Sequence, residues 1–99
     1  MIDASKIALT GLNASERRLA VSANNTANAT TPNFTAQRVV QSSVVEGGVR
    51  TDVVNVEGEG VSLEQEAIDQ NLATYTFKAN LKVLKAKEEM DKALLDINA

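Results

Sequence analysis

From Ser62 to Ile97 the chain contains neither glycine nor proline. About 35 residues of α-helix at 1.5 Å per residue make a rod roughly 52 Å long. A rod of that length does not fit inside a compact domain of 99 residues, so the fold is expected to be elongated. Ser62-Leu63-Glu64-Gln65 reads as a capping box opening the helix, in which Ser62 and Gln65 satisfy each other's exposed backbone N–H groups.

The rest of the chain divides by composition. All nine Leu lie at 9–19 or 63–95, and nine of the eleven Val fall between Val39 and Val61. Leu favours helix, whereas Val favours pleated, half-buried surfaces. The expected fold is therefore mainly α, a single domain over residues 1–99. It comprises an N-terminal helix within 1–30, a loop and short β-hairpin or extended segment over 31–60, and a long C-terminal helix over 61–99. The two terminal helices would form an antiparallel, coiled-coil-like hairpin. The first should run from Ala4 to Asn28 with Asp3 as N-cap, and its apolar stripe reads Ile2, Leu9, Leu12, Leu19 and Ala23. Gly11 costs this helix about 1 kcal/mol relative to Ala, which predicts a packing reason for it. Pro32 disfavours helical geometry at Thr31, so the helix must stop before it. Strands are expected over Gln37–Val45 and Val49–Val56, around a two-residue turn at Gly47-Gly48. That register sets Val45 against Arg50 and Val39 against Val56. A lone two-stranded ribbon is marginal in water, so this one needs a neighbour to hold it.

On a helical wheel, Ile68, Leu72, Tyr75, Ala79, Val83, Ala86, Met90, Leu94 and Ile97 of the long helix share a sector of about 100°. Their steps repeat every eleven residues, which gives straight or slightly right-handed packing instead of a left-handed supercoil. A second apolar side carries Leu63, Phe77, Leu81, Leu84 and Leu95. A two-helix hairpin needs one such stripe; the other would face water and mark an interaction surface. The alternative is a small bundle in which the β-hairpin folds over the second stripe. Glu88, Glu89, Asp91 and Lys92 read as a solvated face.

Composition narrows the function. With no His and no Cys, His–Cys zinc sites, thiol nucleophiles and Ser–His–Asp triads are excluded. Dispersed Asp, Glu and Lys offer no catalytic, cofactor or metal site, so an enzyme is not expected. A net charge of −3 argues against nucleic acid, whose phosphates need clustered Lys and Arg. No apolar run approaches the roughly 20 residues of a membrane span, and Met1-Ile2-Asp3 does not open a cleavable signal peptide. Aromatics are only 3% of residues, so a private core of large rings is not available. Four Asn-x-Ser/Thr matches, at Asn13, Asn24, Asn28 and Asn33, carry no weight in an Asn- and Thr-rich stretch.

Two stretches carry a family resemblance. The first is Ala8-Leu9-Thr10-Gly11-Leu12-Asn13-Ala14 with Leu19 to Asn28 and Ala29-Thr30-Thr31-Pro32-Asn33-Phe34. It resembles the N-terminal signature of the rod, hook and hook-associated (axial) proteins of the bacterial flagellum: a small–Gly–Leu helix, then Ala-Asn-Asn-Ile-Ala-Asn, then Thr-Pro-Gly-Phe. The second, from Leu63-Glu64-Gln65-Glu66 through Tyr75, Ala79-Asn80 and Lys82-Val83-Leu84 to Met90 and Leu95-Asp96-Ile97, is similar to their C-terminal helix. Thr26 stands where the family has a bulky apolar residue, and Thr35 where many relatives carry a basic one. Asn33 replaces the glycine, and asparagine tolerates the positive φ of that turn. Only about 25 residues, Thr35 to Glu59, stand where the family carries its large central β-rich domain, so the resemblance implies a minimal member lacking it.

The resemblance further implies a structural subunit of the basal-body rod, polymerising through coiled-coil packing of its terminal helices into open helical arrays. Implied partners are the chain itself, as a homo-oligomer, other flagellar axial proteins and the flagellar type III export apparatus. The implied location is the basal body, where the rod crosses the periplasm. Asn24, Asn25, Asn28, Thr31, Pro32 and Phe34 would form a structural corner that caps the first helix and directs the chain out of it. Leu9, Leu12 and Leu19, together with Ile68, Leu72, Tyr75, Phe77, Ala79, Leu81, Val83, Leu84, Met90, Leu94, Leu95 and Ile97, would serve helix packing and assembly. The competing reading is a self-associating helical-hairpin adaptor outside the flagellar axis.

Overall fold

A computed structural model describes residues 3–98, side chains through Ile97. Ile2, first member of the expected N-terminal stripe, lies outside the described residues. The elements are α1 (Ala4–Ala27), β1 (Gln37–Ser43), β2 (Val49–Asn55) and α2 (Leu63–Asn98). The fold is mainly helical, two antiparallel helices joined by an antiparallel β-hairpin, in a body of 63 × 25 × 14 Å. Its 36-residue α2 accounts for the long axis.

Asp3 is the N-cap of α1, its carboxylate accepting from the Ser5 backbone N–H at 3.3 Å and the Ser5 hydroxyl at 3.0 Å. These hydrogen bonds, the hydroxyl foremost, hold the Asp3 carboxyl below its ordinary value of 3.8. A carboxyl lowered by folding stabilises the fold above its unfolded pKa, and that contribution is lost as pH falls through the folded value. Asp3→Asn keeps a capping oxygen without the titration. The variant should therefore lose less thermal stability than wild type as pH drops below 3.8, read by circular dichroism. At the start of α2 only half of the capping box forms. The Gln65 N–H donates to Ser62 Oγ at 3.4 Å, but the Gln65 amide donates forward to Asp69 at 3.0 Å instead of serving Ser62.

The hairpin register differs from the expected one. Val39 faces Val53, not Val56, and Ser43 faces Val49. Val45 pairs with nothing and stands fully exposed at the tip. The turn is wider than two residues: the Gly47 N–H donates to Val44 O at 2.9 Å and the Val44 N–H to Gly48 O at 3.1 Å. Val45 and Glu46 are thus the turn's centre, and Gly47, at φ 117°, supplies the left-handed residue of a three-residue loop. Two positive-φ glycines in a row fit either turn, so the dipeptide alone does not choose the register.

The hairpin has the neighbour it needs. It lies against α1, where Thr10 Oγ1 donates to Ile7 O at 2.7 Å and accepts from the Val49 N–H at 3.1 Å. α1 is thereby the middle layer, with α2 on its other flank, and the hairpin is no lid over the second stripe of α2.

The α1–α2 seam is not built from the longer apolar stripe. Across it Ser22 meets Glu66 and Gln70, Leu19 lies near Ala73 and Phe77, and Gly11 meets Asn80. Among the described residues the buried apolar side chains are Ala8, Leu12, Ala14, Ala36 and Ala73, joined by Ser15, Ser22, Asn25 and Glu66. Leu12 is buried as its stripe predicts, whereas Leu9 and Leu19 are exposed. Small residues win these places because they let the helix backbones approach closely; a γ-branched side chain there would hold them apart. Gly11 shows this directly. A Cβ built on it would stand 2.6 Å from Asn80 Nδ2 and 2.8 Å from Asn80 Cγ.

Candidate functional site

The C-terminal end of α1, the start of β1 and the first turns of α2 converge on Asn25, which is 1% exposed. Its Nδ2 donates to Gln37 O and to Glu66 Oε1, both at 3.0 Å, while its Oδ1 accepts from the Gln37 N–H at 2.9 Å. One side chain therefore completes the backbone pairing at the root of β1 and tethers α2. Glu66, also 1% exposed, takes a second bond from Arg38 Nη1 at 3.4 Å. Arg38 lies 3.7 Å from Glu59 as well. A buried carboxylate held by an amide and a guanidinium meets the requirement that a buried charge be paired and hydrogen-bonded.

Around Asn25 the remaining motif residues shape the chain's exit. Asn28, the C-cap, returns its backbone N–H to Asn24 O and Asn25 O and its Nδ2 to Asn24 O at 2.9 Å. Thr31 donates to Asn28 Oδ1 at 3.1 Å, and Asn24 reaches Gln37 Oε1 at 3.2 Å. Asn33 adopts φ 65°, the left-handed geometry that asparagine accommodates better than other non-glycine residues. Pro32 is exposed and Phe34 half-buried. Thr26 bonds back to Ser22 O at 3.0 Å and accepts from Gln70 at 3.2 Å, a polar contact with α2.

The helix-packing candidates separate into two groups. Phe77 and Leu84 are half-buried on the side of α2 toward α1, and Leu81 lies at its margin. Ile68, Leu72, Tyr75, Ala79, Val83, Met90, Leu94 and Ile97 are all exposed, as are Leu63 and Leu95. The large members range from 46% exposed at Val83 to 78% at Ile97. The stripe points about 130° away from the seam, counting 100° per residue. Beyond Lys87 every side chain of α2 through Ile97 is exposed among the described residues.

Glu66, Arg38, Gln37 and Ser22 belong to the corner as well: Ser22 and Glu66 lie within the two family-like stretches without being singled out there, and Gln37 and Arg38 lie outside both. Glu66 sits in a run of helix-surface residue types, and only the fold reveals that it is enclosed. A signal was available in Ala73, one small residue at the register where α2 crosses Ser15. Beside the corner lies an open cleft of about 410 Å³, bordered by Arg18, Gln37, Arg38, Glu59 and Asp69. Among the described residues no group of three or more Asp or Glu is placed to hold a metal ion. Also among them, no helix is long and apolar enough to cross a membrane.

Residues 6–35, from α1 through the turn at Asn33, match the flagella basal body rod protein family. The similarity covers about the N-terminal third of the chain. The matched span holds all six residues of the asparagine corner, including the buried Asn25. This rod family is structural, not enzymatic, and the match supports a structural role in the flagellar basal body in association with other rod proteins. Comparison with the curated proteins gives no significant match.

Proposed function

We propose that this chain is a subunit of the flagellar basal-body rod that polymerises through its two helices. The observation that carries the reading is the exposed apolar stripe of α2 from Ile68 to Ile97, about 44 Å long at 1.5 Å per residue. Apolar surface this continuous marks an interaction site. The fold leaves it uncovered because α1 is engaged on a different side of α2. In a rod, neighbouring subunits would complete the core that a single chain lacks. The last turns of α2, carrying Met90, Leu94, Leu95 and Ile97, would reach past the chain's own α1 into those neighbours. The asparagine corner would hold the two helices and the hairpin at one fixed angle, so that identical contacts repeat along the axis. Export would use the flagellar type III apparatus, delivering the subunit to the rod within the periplasm beside other axial proteins.

The test replaces Leu94, Leu95 and Ile97 together by Glu and follows incorporation into purified basal bodies. All three are exposed, so the fold should be unaffected by circular dichroism while incorporation is lost. A folded triple variant that still co-purifies with intact basal bodies overturns the reading. Wild-type chain absent from basal bodies, in cells that swim normally without it, favours the adaptor.

A further inference from the structure

We propose that α2 also pairs with α2 of a second copy, antiparallel and two-fold symmetric about Ala86. The stripe reads nearly the same in both directions from that residue. Val83 and Met90 stand three residues before it and four after, Ala79 and Leu94 seven and eight, Tyr75 and Ile97 eleven and eleven. Antiparallel pairing therefore sets Leu94 against Ala79 and Met90 against Val83, so larger side chains meet smaller ones. Ala86 meets Ala86 at the axis, where small residues permit close approach. The eleven-residue period suits two nearly straight rods.

Charge selects this direction. In an antiparallel helix pair each flank lies beside the same flank of the partner. The flank next to the stripe carries Lys78, Lys85, Glu89 and Asp96, and the pairing brings Lys78 to Asp96 and Lys85 to Glu89, each twice. Among the described residues these four make no ion pair within the chain, while Lys87–Asp91 and Glu88–Lys92 on the same helix do. Lys82 falls opposite Lys92, whose charge Glu88 already offsets within the chain. Exposed pairs of this kind are individually weak, so they set the register while the apolar stripe supplies the attraction.

A two-fold contact of one patch with itself is closed and cannot propagate. The dimer would hide the stripe of both chains and compete with any polymer that uses it. It does not rest on the rod reading, because the complementarity lies in α2 alone.

The chain has no cysteine, which allows a direct test on the full protein. Sedimentation equilibrium should show a monomer–dimer equilibrium with no larger species. Under mild oxidation Ala86→Cys should link to itself and Ala79→Cys should not, while a mixture of Ala79→Cys and Leu94→Cys should link across. Lys78→Glu should weaken the dimer about three- to tenfold, given two symmetric pairs lost, and Lys78→Glu with Asp96→Lys should restore it. Circular dichroism checks that each variant is folded. A monomer at all concentrations overturns the proposal, as does equal self-linking of Ala79→Cys and Ala86→Cys, which means a parallel pair. Basal-body incorporation is scored separately, so failure of either proposal leaves the other standing.

Discussion

Replacing Asn25 by alanine should destabilise the protein by about 3 kcal/mol, since it strands buried hydrogen-bonding groups worth roughly 1–3 kcal/mol each. The groups are the Gln37 N–H, the Gln37 carbonyl and Glu66 Oε1, all of which Asn25 serves in the native structure. Glu66 suffers most, being left inside the fold with only the longer bond from Arg38. For a domain of this size the loss corresponds to a fall in Tm of about 12–24 °C. Total stability of small domains is about 5–15 kcal/mol, so this one contact decides a large share of it. Asn24→Ala is the control. Asn24 is exposed and its side chain makes only exposed bonds, to the side-chain amides of Gln37 and Asn28, so its loss should cost no more than about 0.5 kcal/mol. Thermal melts of the two variants distinguish a keystone from an ordinary polar loop: equal losses would show that Asn25 has no special place.

The second large effect is expected at Gly11. Gly11→Val forces a branched side chain into the position where even a Cβ would meet Asn80 at 2.6–2.8 Å. Asn80 is not free to yield, because its Nδ2 is bonded to Thr76 O at 3.0 Å. Overpacking costs about 1–3 kcal/mol, and valine brings little of alanine's helix propensity, so the variant should lose close to 3 kcal/mol. Gly11→Ala should lose far less, its clash being offset by about 1 kcal/mol of improved propensity. Combining Gly11→Val with Asn80→Ala should recover most of the stability. Chemical denaturation of the four proteins in a double-mutant cycle gives the coupling directly. Additive losses would mean that Gly11 and Asn80 do not share a contact.

Much of the architecture was legible in residue pattern. An uninterrupted helical run, a Val-rich middle and Pro32 after a polar stretch mark two helices and a hairpin within a residue or two of where they occur. The positive φ of Asn33 and the N-cap at Asp3 follow from side-chain chemistry that acts over two or three residues. The hairpin register did not follow, because Gly47-Gly48 suits two turns that differ in which residues stand opposite. Contact with Thr10, 39 residues away, helps decide between such turns. The helix seam also escaped the wheel. Hydrophobic periodicity ranks faces by apolar content, whereas close approach selects for small residues and satisfied polar ones. Leu9 therefore lies outside and Leu19 only at the seam's exposed edge, with Ser22, Asn25 and Glu66 inside.

The sequence by itself determined that this protein is a rod with more apolar surface than one chain can cover. That property depends on local spacing along a helix and needs no knowledge of what the helix meets. Only the tertiary structure decided which surface is left over. α1 takes the side of α2 with Glu66, Ala73, Phe77 and Asn80, where backbones can come close and a buried carboxylate finds Asn25 and Arg38. The stripe from Ile68 to Ile97 stays open because the seam is chosen by fit and by hydrogen-bond partners far apart in the chain, terms that no local pattern records.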